Sequence, residues 1–133
     1  MPKILCLDPG VAHTGLAVSL EGKLAQPLTT IFERNLTALV GRLTPFIVQI
    51  NPDTIVIGQP SFGPLTSVAE NLSEMLSKVY SGEVILFNED LSSKTAQKIM
   101  REKGYSSAKI KSDEHQTAAA LILQEFLDSK PPA

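Results

Sequence analysis

The beginning of the chain alternates between apolar runs and turn residues in a way that predicts a β-hairpin. The apolar run ILCL at residues 4–7 ends at Asp8, Pro9-Gly10 turns the chain, and the run LAV at residues 16–18 follows Gly15. Short apolar runs bounded by turn residues are typical of buried strands. We therefore expect two paired strands, with the carboxylate of Asp8 at the point where the first strand ends.

Hydrophobic periodicity in the rest of the chain predicts three more strands and four helices. Apolar residues at helical spacing indicate helices near residues 36–50, 67–80, 94–103 and 113–127, and Pro45 should bend or split the first of them. A strand at residues 23–28 follows the hairpin, and the short apolar runs at residues 54–57 and 83–87 have the composition of buried parallel strands. The order β-β-β-α-β-α-β-α-α predicts an α/β fold with a five-stranded mixed sheet, three antiparallel strands followed by two parallel ones, with helices on its faces.

Two of the predicted helices are preceded by residues that suit an N-cap. Asn35 or Thr37 would cap the first helix, and Ser112 or Asp113 would cap the last one, after a polar loop at residues 105–111. The last helix would then begin with its acidic residues in the first turn, where the helix dipole favours them.

Length and composition fit one globular domain. The chain has 133 residues, 43% hydrophobic and 20% charged, which fits a single domain at residues 1–128 and a flexible tail at 129–133. The one cysteine, Cys6, excludes a disulfide framework and a multi-cysteine zinc site, and it suits the reducing cytosol. No apolar stretch has transmembrane or signal-peptide character, so no membrane partner is expected. The net charge of −2 means that a nucleic-acid partner would need a local basic surface.

Two buried strands run into acidic residues, Asp8 and Glu89. In α/β sheets ligands bind at the carboxyl ends of strands. We predict that these two strands are neighbours, so that their carboxylates converge and one ion can touch both. Paired carboxylates without a cation repel each other, so they hold a divalent metal ion or share a proton. The alternatives are structural. Asp8 would only accept hydrogen bonds from the amides of its turn, and Glu89 would be a solvent-exposed residue just after a strand.

A basic stripe follows Glu89 directly. Lys94, Lys98 and Arg101 lie on one face of the predicted third helix, and Lys109 and Lys111 continue the charge. The stripe is either a solvated helix face or a surface that binds phosphates. Its position beside the acids favours phosphate binding.

His115 shares a helical face with Ala119, Ile122 and Phe126, so it should point toward the sheet. A histidine on an apolar face is often only a packed core residue. At a helix start, however, the dipole would keep its imidazole neutral, and a neutral imidazole can ligate a metal or take a proton.

His13 either touches a phosphate or is merely exposed, and the segment at residues 61–64 could form a lip over the site.

Read together, these segments resemble the YqgF/RuvX family of the RNase H-like superfamily. The resemblance rests on an ordered set of motifs: DPG and GLAVS at residues 8–10 and 15–19, PLTTI at 27–31, IVIGQP at 55–60, NEDLSS at 88–93 and AAALILQ at 118–124. It implies an RNase H-like fold and a cytoplasmic, metal-dependent nuclease that uses Mg²⁺ or Mn²⁺. It also implies a role in maturing the 5′ end of pre-16S ribosomal RNA, while some relatives act on Holliday junctions.

The family's acids carry over as Asp8 and Glu89, and the chain departs from the family pattern at several positions. His13 stands where an Arg or Lys is expected, Leu20 replaces an acid, and the strand-end Asp-Glu-Arg reads NED at residues 88–90. The family's third acid falls at His115, a position where related junction resolvases can carry a histidine. Catalytic and metal-ligating roles are therefore expected for Asp8, Glu89 and His115.

The sequence thus predicts a phosphodiesterase in which Asp8 bridges two metal ions, Glu89 holds the ion nearer the attacking water, and His115 ligates or orients the second site. The basic stripe would hold the nucleic-acid backbone without reading bases. Three alternatives remain: a dimeric Holliday junction resolvase, a binding-only protein with too few metal ligands, and a sugar-kinase or actin-like ATPase, which would need two such domains. A monomer and a homodimer are both compatible with the sequence.

Overall fold

The structure, a computed structural model, describes the backbone of residues 2–88 and 107–129, and the side chains of all of these except 107–113. The described elements follow one another along the chain as β1 (Ile4–Pro9), β2 (His13–Ser19), β3 (Gln26–Phe32), α1 (Leu36–Ile50), β4 (Thr54–Gln59), α2 (Pro64–Val79), β5 (Glu83–Asn88) and α3 (Ser107–Ser129). The third helix predicted from the sequence, at residues 94–103, lies outside the described residues.

The five strands form one mixed sheet in the order β3-β2-β1-β4-β5. β1 pairs with β2 and β2 with β3 in antiparallel fashion, whereas β4 is parallel to β1 and β5 is parallel to β4. The predicted architecture is therefore confirmed. The expectation that the strands ending at Asp8 and just before Glu89 are neighbours is wrong, because β4 comes earlier in the chain and occupies the free edge of β1, which leaves β5 to pair with β4.

The pleat of the central strand divides the core between two faces of the sheet. Leu5 and Leu7 belong to the cluster that α1 and α2 cover, while Ile4 and Cys6 belong to the cluster that α3 covers. Since successive side chains of a strand point to opposite faces, Asp8 lies on the same face as Ile4 and Cys6. The carboxylate therefore stands on the α3 side of the sheet.

α1 is one uninterrupted helix, although Pro45 lies inside it. Its N-cap is Asn35, whose side chain accepts a hydrogen bond from the amide of Ala38 at 2.9 Å. Pro45 and Gly41, the residue whose carbonyl loses its helical donor, are both exposed. Because that carbonyl can be hydrated, the expected split does not occur.

The bounds of β3 and α3 differ most from the sequence-based expectation. β3 begins at Gln26 rather than near residue 23, because Gln124 of α3 bonds the amide of Ala25 at 2.9 Å and the carbonyl of Lys23 at 3.2 Å and so ties this segment to the helix. α3 begins at Ser107, so the proposed loop at 105–111 and the proposed cap at Ser112 or Asp113 are wrong. The polar first turns of α3 carry no apolar periodicity that would have indicated a helix.

In the described part of the chain, no helix is long and apolar enough to span a bilayer. Of the expected tail at 129–133, Ser129 is the last residue of α3 and the others lie outside the described residues.

Candidate active site

Asp8 is a largely buried carboxylate at the carboxyl end of the central strand. Burial raises the pKa of its carboxyl from 3.8 to about 6. Within the described part of the chain, no hydrogen bond or ion pair to this carboxylate is found. A desolvated carboxylate without a cationic neighbour is unstable in its charged form, so it takes up a proton or a metal ion.

Glycines flank Asp8 on both neighbouring strands. Gly15 of β2 is the direct partner of Asp8, and Gly58 of β4 follows the Leu7–Ile57 pair. A Cβ on Gly15 would lie 2.9 Å from the amide nitrogen of Gln116 and would overlap the carbonyl of His115, and a Cβ on Gly58 would lie 3.0 Å from Ile122. Only glycine at residue 15 therefore lets the backbone of α3 descend onto the sheet beside Asp8.

His115 lies on the sheet-facing side of α3, as the sequence predicts. Ala119, Ile122 and Phe126 on the same face are buried, and the side chain of His115 is 27% exposed. Its ring stacks in parallel on the ring of His13, with the centroids 4.8 Å apart and an interplanar angle of 3°. His115 therefore stands over β2, in the row next to Asp8.

The pKa of His115 is lowered, mainly by burial of the imidazole. Glu114, whose carboxylate is 3.6 Å from Nε2, raises the pKa, and His13 lowers it. The direction of this shift agrees with the neutral imidazole expected from the sequence, but its main cause is burial and not the dipole at the helix start. α3 starts at Ser107, so His115 is in the third turn, beyond the reach of the dipole at the helix start.

His13 is exposed, yet it is the middle of an aromatic row. Phe32, its cross-strand partner, meets its ring edge-on at a centroid distance of 5.1 Å, and the guanidinium of Arg34 lies 5.7 Å from the centroid of the Phe32 ring. Sequence reasoning missed Phe32, because its contact with His13 depends on the register of β2 and β3. The strand predicted from the sequence also ended at residue 28, four residues before Phe32, so no signal in the sequence brought the two rings together.

The other predicted site residues are only partly within the described region. Glu89 follows the last residue of β5 and, like Lys94, Lys98 and Arg101, lies outside the described residues. Lys109, Lys111 and Asp113 are in α3, and only their backbone is described. Asp113 is thus inside the helix and not its cap.

The loop between β4 and α2, the predicted lip, opens at the same edge of the sheet. Ser61 donates a hydrogen bond to Asn88 at the end of β5 (3.0 Å), and Phe62 is 87% exposed. This loop therefore joins the ends of the two parallel strands that follow β1.

The residues present partly match the needs of a divalent metal ion. The carboxylate of Asp8, which is unpaired among the described residues, and the imidazole of His115, whose pKa is lowered, are suitable ligand types. Among the described residues, however, no cluster of three or more His, Cys, Asp or Glu side chains could hold an ion. A complete ligand set would have to include a residue from outside this part of the chain.

Comparison with solved structures shows the same fold. The chain aligns over its full length with all of Thermus thermophilus RuvC, from a structure titled as a complex with a Holliday junction substrate, at a TM-score of 0.61 and 15% identity. It also aligns with the Fowlpox virus resolvase from a complex with junction DNA, at a TM-score of 0.58 and 13% identity over 96% of this chain and 97% of that one. At these identities the likeness concerns the fold alone.

Sequence comparison is more specific. A relative from Chloroflexus aurantiacus is 32% identical over 96% of this chain and 87% of its own, and one from Bacillus cytotoxicus is 35% identical over 96% and 99%. Both carry the name "Putative pre-16S rRNA nuclease". The family described as "RuvX: Holliday junction resolvase" matches residues 2–129. A match over almost the whole chain means that this protein belongs to the RuvX family.

Proposed function

We propose that this chain is a metal-dependent nuclease that hydrolyses phosphodiester bonds in the 5′-end maturation of pre-16S ribosomal RNA, in the cytoplasm. The observation that carries the proposal is Asp8, a largely buried carboxylate with a pKa raised to about 6. It is unpaired in the described part of the chain, and it lies at the end of the sheet where α3 packs on Gly15. The names of the full-length relatives support the choice of substrate.

In this proposal Asp8, Glu89 and His115 hold Mg²⁺ or Mn²⁺. When bound, the metal activates water and neutralises charge at the scissile phosphate. Asp8 contributes negative charge from the central strand, and burial strengthens its attraction to a cation. Glu89 contributes a second carboxylate from the residue after β5. Since β4 separates β1 from β5, the carboxylates of Asp8 and Glu89 would have to reach across one strand.

His115 supplies a neutral nitrogen. Because burial lowers its pKa below 6.5, the imidazole is uncharged at neutral pH and can ligate a metal ion or accept a proton. Its stacking on His13 fixes the plane of the ring. The basic residues Lys94, Lys98, Arg101, Lys109 and Lys111 would bind the phosphates of the substrate without reading its bases.

The deciding experiment is Mn²⁺-dependent cleavage of a panel of single-stranded RNA, RNA duplex and four-way DNA junction. We expect the wild-type protein to cut RNA, and Asp8→Asn to cut none of the three. Cleavage of RNA by Asp8→Asn at the wild-type rate would refute the role of Asp8. Failure of the wild-type protein to cut any member would favour a binding-only protein, which calorimetry with Mn²⁺ would recognise by the absence of metal binding.

A Holliday junction resolvase is the second candidate. The family description and the fold shared with RuvC favour it. Such an enzyme needs two sites facing a four-way junction, and hence a homodimer, whereas an RNA-trimming enzyme can be a monomer. Cleavage of the junction alone, together with a dimeric mass in size-exclusion chromatography, would select the resolvase.

A further inference from the structure

Four side chains form a row at the end of the sheet where Asp8 lies. His115 of α3 stacks on His13 of β2, Phe32 of β3 meets His13 edge-on, and Arg34 lies over the Phe32 ring. Their spacings of 4.8, 5.1 and 5.7 Å are those of favourable aromatic and cation–π contacts. The row therefore runs from the helix beside Asp8 to the outer strand of the sheet.

The row lies close to Asp8. Gly15 is the cross-strand partner of Asp8, and His13 is two residues from Gly15 on the same strand, so His13 is the diagonal neighbour of Asp8. Diagonal neighbours have Cα atoms about 7–8 Å apart. Phe32 is one strand further, directly opposite His13. A phosphate bound beside Asp8 through a metal ion would thus have its neighbouring nucleotides within reach of these rings.

The side chain of Phe32 is largely exposed to solvent, although it has a packing partner. It remains 57% exposed although His13 packs against it, and β3 is an edge strand of the sheet that the described residues form. Thr30, on the same face, is held by Gln116 of α3 at 3.3 Å, whereas Phe32 lies beyond that contact. The ring is therefore presented at the rim of the sheet and not under the helix.

Among the described side chains near the row, the charges nearly cancel. Arg34 and Arg42 are matched by Glu33 and Glu114, and Arg42 donates its guanidinium hydrogen bond to the carbonyl of Phe32. These four side chains therefore add no net positive charge that would attract phosphates. The feature that this surface offers to a ligand is its exposed aromatic ring.

We propose that Phe32, braced by His13 and flanked by Arg34, is a stacking platform for an unpaired base next to the phosphate that is cleaved. The proposal rests on the nuclease function and deepens it, because a base must be free of its duplex to lie flat on a side-chain ring. The preferred substrate is therefore single-stranded RNA, or a single-stranded end or flap, at the point of cleavage.

The test measures stacking directly and without catalysis. A single-stranded RNA carrying 2-aminopurine is titrated with protein in EDTA, because the fluorescence of this base falls when it stacks on a ring. The variants are Phe32→Leu, which keeps an apolar side chain but removes the ring, and His13→Ala, which removes the brace. Leu24→Ala is the control: Leu24 is 65% exposed and precedes β3 at the opposite end of the strand.

We expect quenching with the wild type and with Leu24→Ala. Phe32→Leu should abolish the quenching and weaken single-strand binding about fivefold or more, leaving RNA-duplex binding unchanged. His13→Ala should reduce both effects partially. Because the contribution is from stacking, the ratio of wild-type to Phe32→Leu affinity should not change with salt.

Unchanged quenching and affinity in Phe32→Leu, or equal weakening of single strand and duplex, would overturn the platform. The same preparations are assayed for Mn²⁺-dependent cleavage. RNA cleavage with no effect of Phe32→Leu rejects the platform and keeps the nuclease. Quenching lost in Phe32→Leu, with no cleavage by the wild type, rejects the nuclease and keeps the platform.

Discussion

The backbone of α3 at His115 rests directly on Gly15, the cross-strand partner of Asp8. A single missing side chain thus lets the helix that carries His115 approach the strand that carries Asp8. The geometry of the candidate site depends on this contact, which makes it the first point to test.

Gly15→Ala should destabilise the fold and impair cleavage together. Its Cβ would overlap the carbonyl of His115, so α3 must move away from the sheet. Overpacking of this kind costs about 1–3 kcal/mol, and occasionally more. Thermal unfolding and turnover per folded molecule are the measurements.

The matched control is Gly41→Ala in α1. A Cβ on Gly41 would meet no atom within 4 Å, so this variant should gain about 0.5–1 kcal/mol from helix propensity and cleave normally. Equal stability of the two alanine variants would mean that α3 does not approach Gly15 as closely as described.

Asp8→Asn should stabilise the metal-free protein near neutral pH. The pKa of Asp8 is about 6 in the folded state against 3.8 unfolded, so the folded state binds more protons between these values. Stability from this group is therefore lost as pH rises from about 4 to 6 and stays constant above. The difference between wild type and variant should grow from near zero at low pH to at most ~3 kcal/mol above pH 7.

Urea unfolding of both proteins across this pH range, without divalent cations, measures the difference. Comparison of the two proteins is needed because His115 acts in the opposite direction: its lowered pKa costs stability as pH falls below 6.5.

Mn²⁺ should then raise the melting temperature of the wild type more than that of Asp8→Asn. An equal metal response in both would remove Asp8 from the metal site.

The strand that bears Asp8 and the helix face that bears His115 could both be predicted, because each follows from local periodicity. A run of apolar residues ending at Asp8 indicates a buried strand, and the spacing of Ala119, Ile122 and Phe126 fixes the rotation of α3. These patterns need no knowledge of distant parts of the chain.

Strand order and register could not be predicted in the same way. That β4 separates β1 from β5 depends on which edge each crossover reaches, and local sequence does not encode this choice. The contact between His13 and Phe32 depends on a register that includes an irregularity between Leu16 and Ala17. The start of α3 at Ser107 was missed because its first turns are polar, and a helix without an apolar stripe resembles a loop.

Charge reversal of the basic stripe should weaken nucleic-acid binding most strongly at low salt. Replacing Lys94, Lys98 and Arg101 with Glu removes three phosphate contacts, and each contact contributes about 0.7 to the slope of log K against log salt for single strands. We expect the slope to fall by about 2, without a change in sequence preference. Fluorescence anisotropy over a range of KCl concentrations measures it.

A control with the same change in net charge separates the stripe from general repulsion. Lys3, Lys23 and Lys78 are exposed elsewhere on the surface, and their replacement with Glu changes the net charge by the same amount. The slope of this triple variant should stay near the wild-type value. If both triple variants lose the same slope, the stripe is only a solvated surface.

His115 decides how anionic the metal site is. An imidazole adds no negative charge, so a site of Asp8, Glu89 and His115 should bind Mg²⁺ weakly and prefer Mn²⁺, which accepts nitrogen ligands more readily. His115→Ala should therefore lose cleavage, and free imidazole should restore part of it. His115→Asp should restore cleavage with the preference shifted toward Mg²⁺, and in the absence of metal it should be less stable, because a second carboxylate beside Asp8 adds repulsion. Turnover per folded molecule in titrations of each metal is the measurement. If His115 serves only to pack α3 against His13, both variants will change stability alone, and their turnover and metal preference will equal those of the wild type.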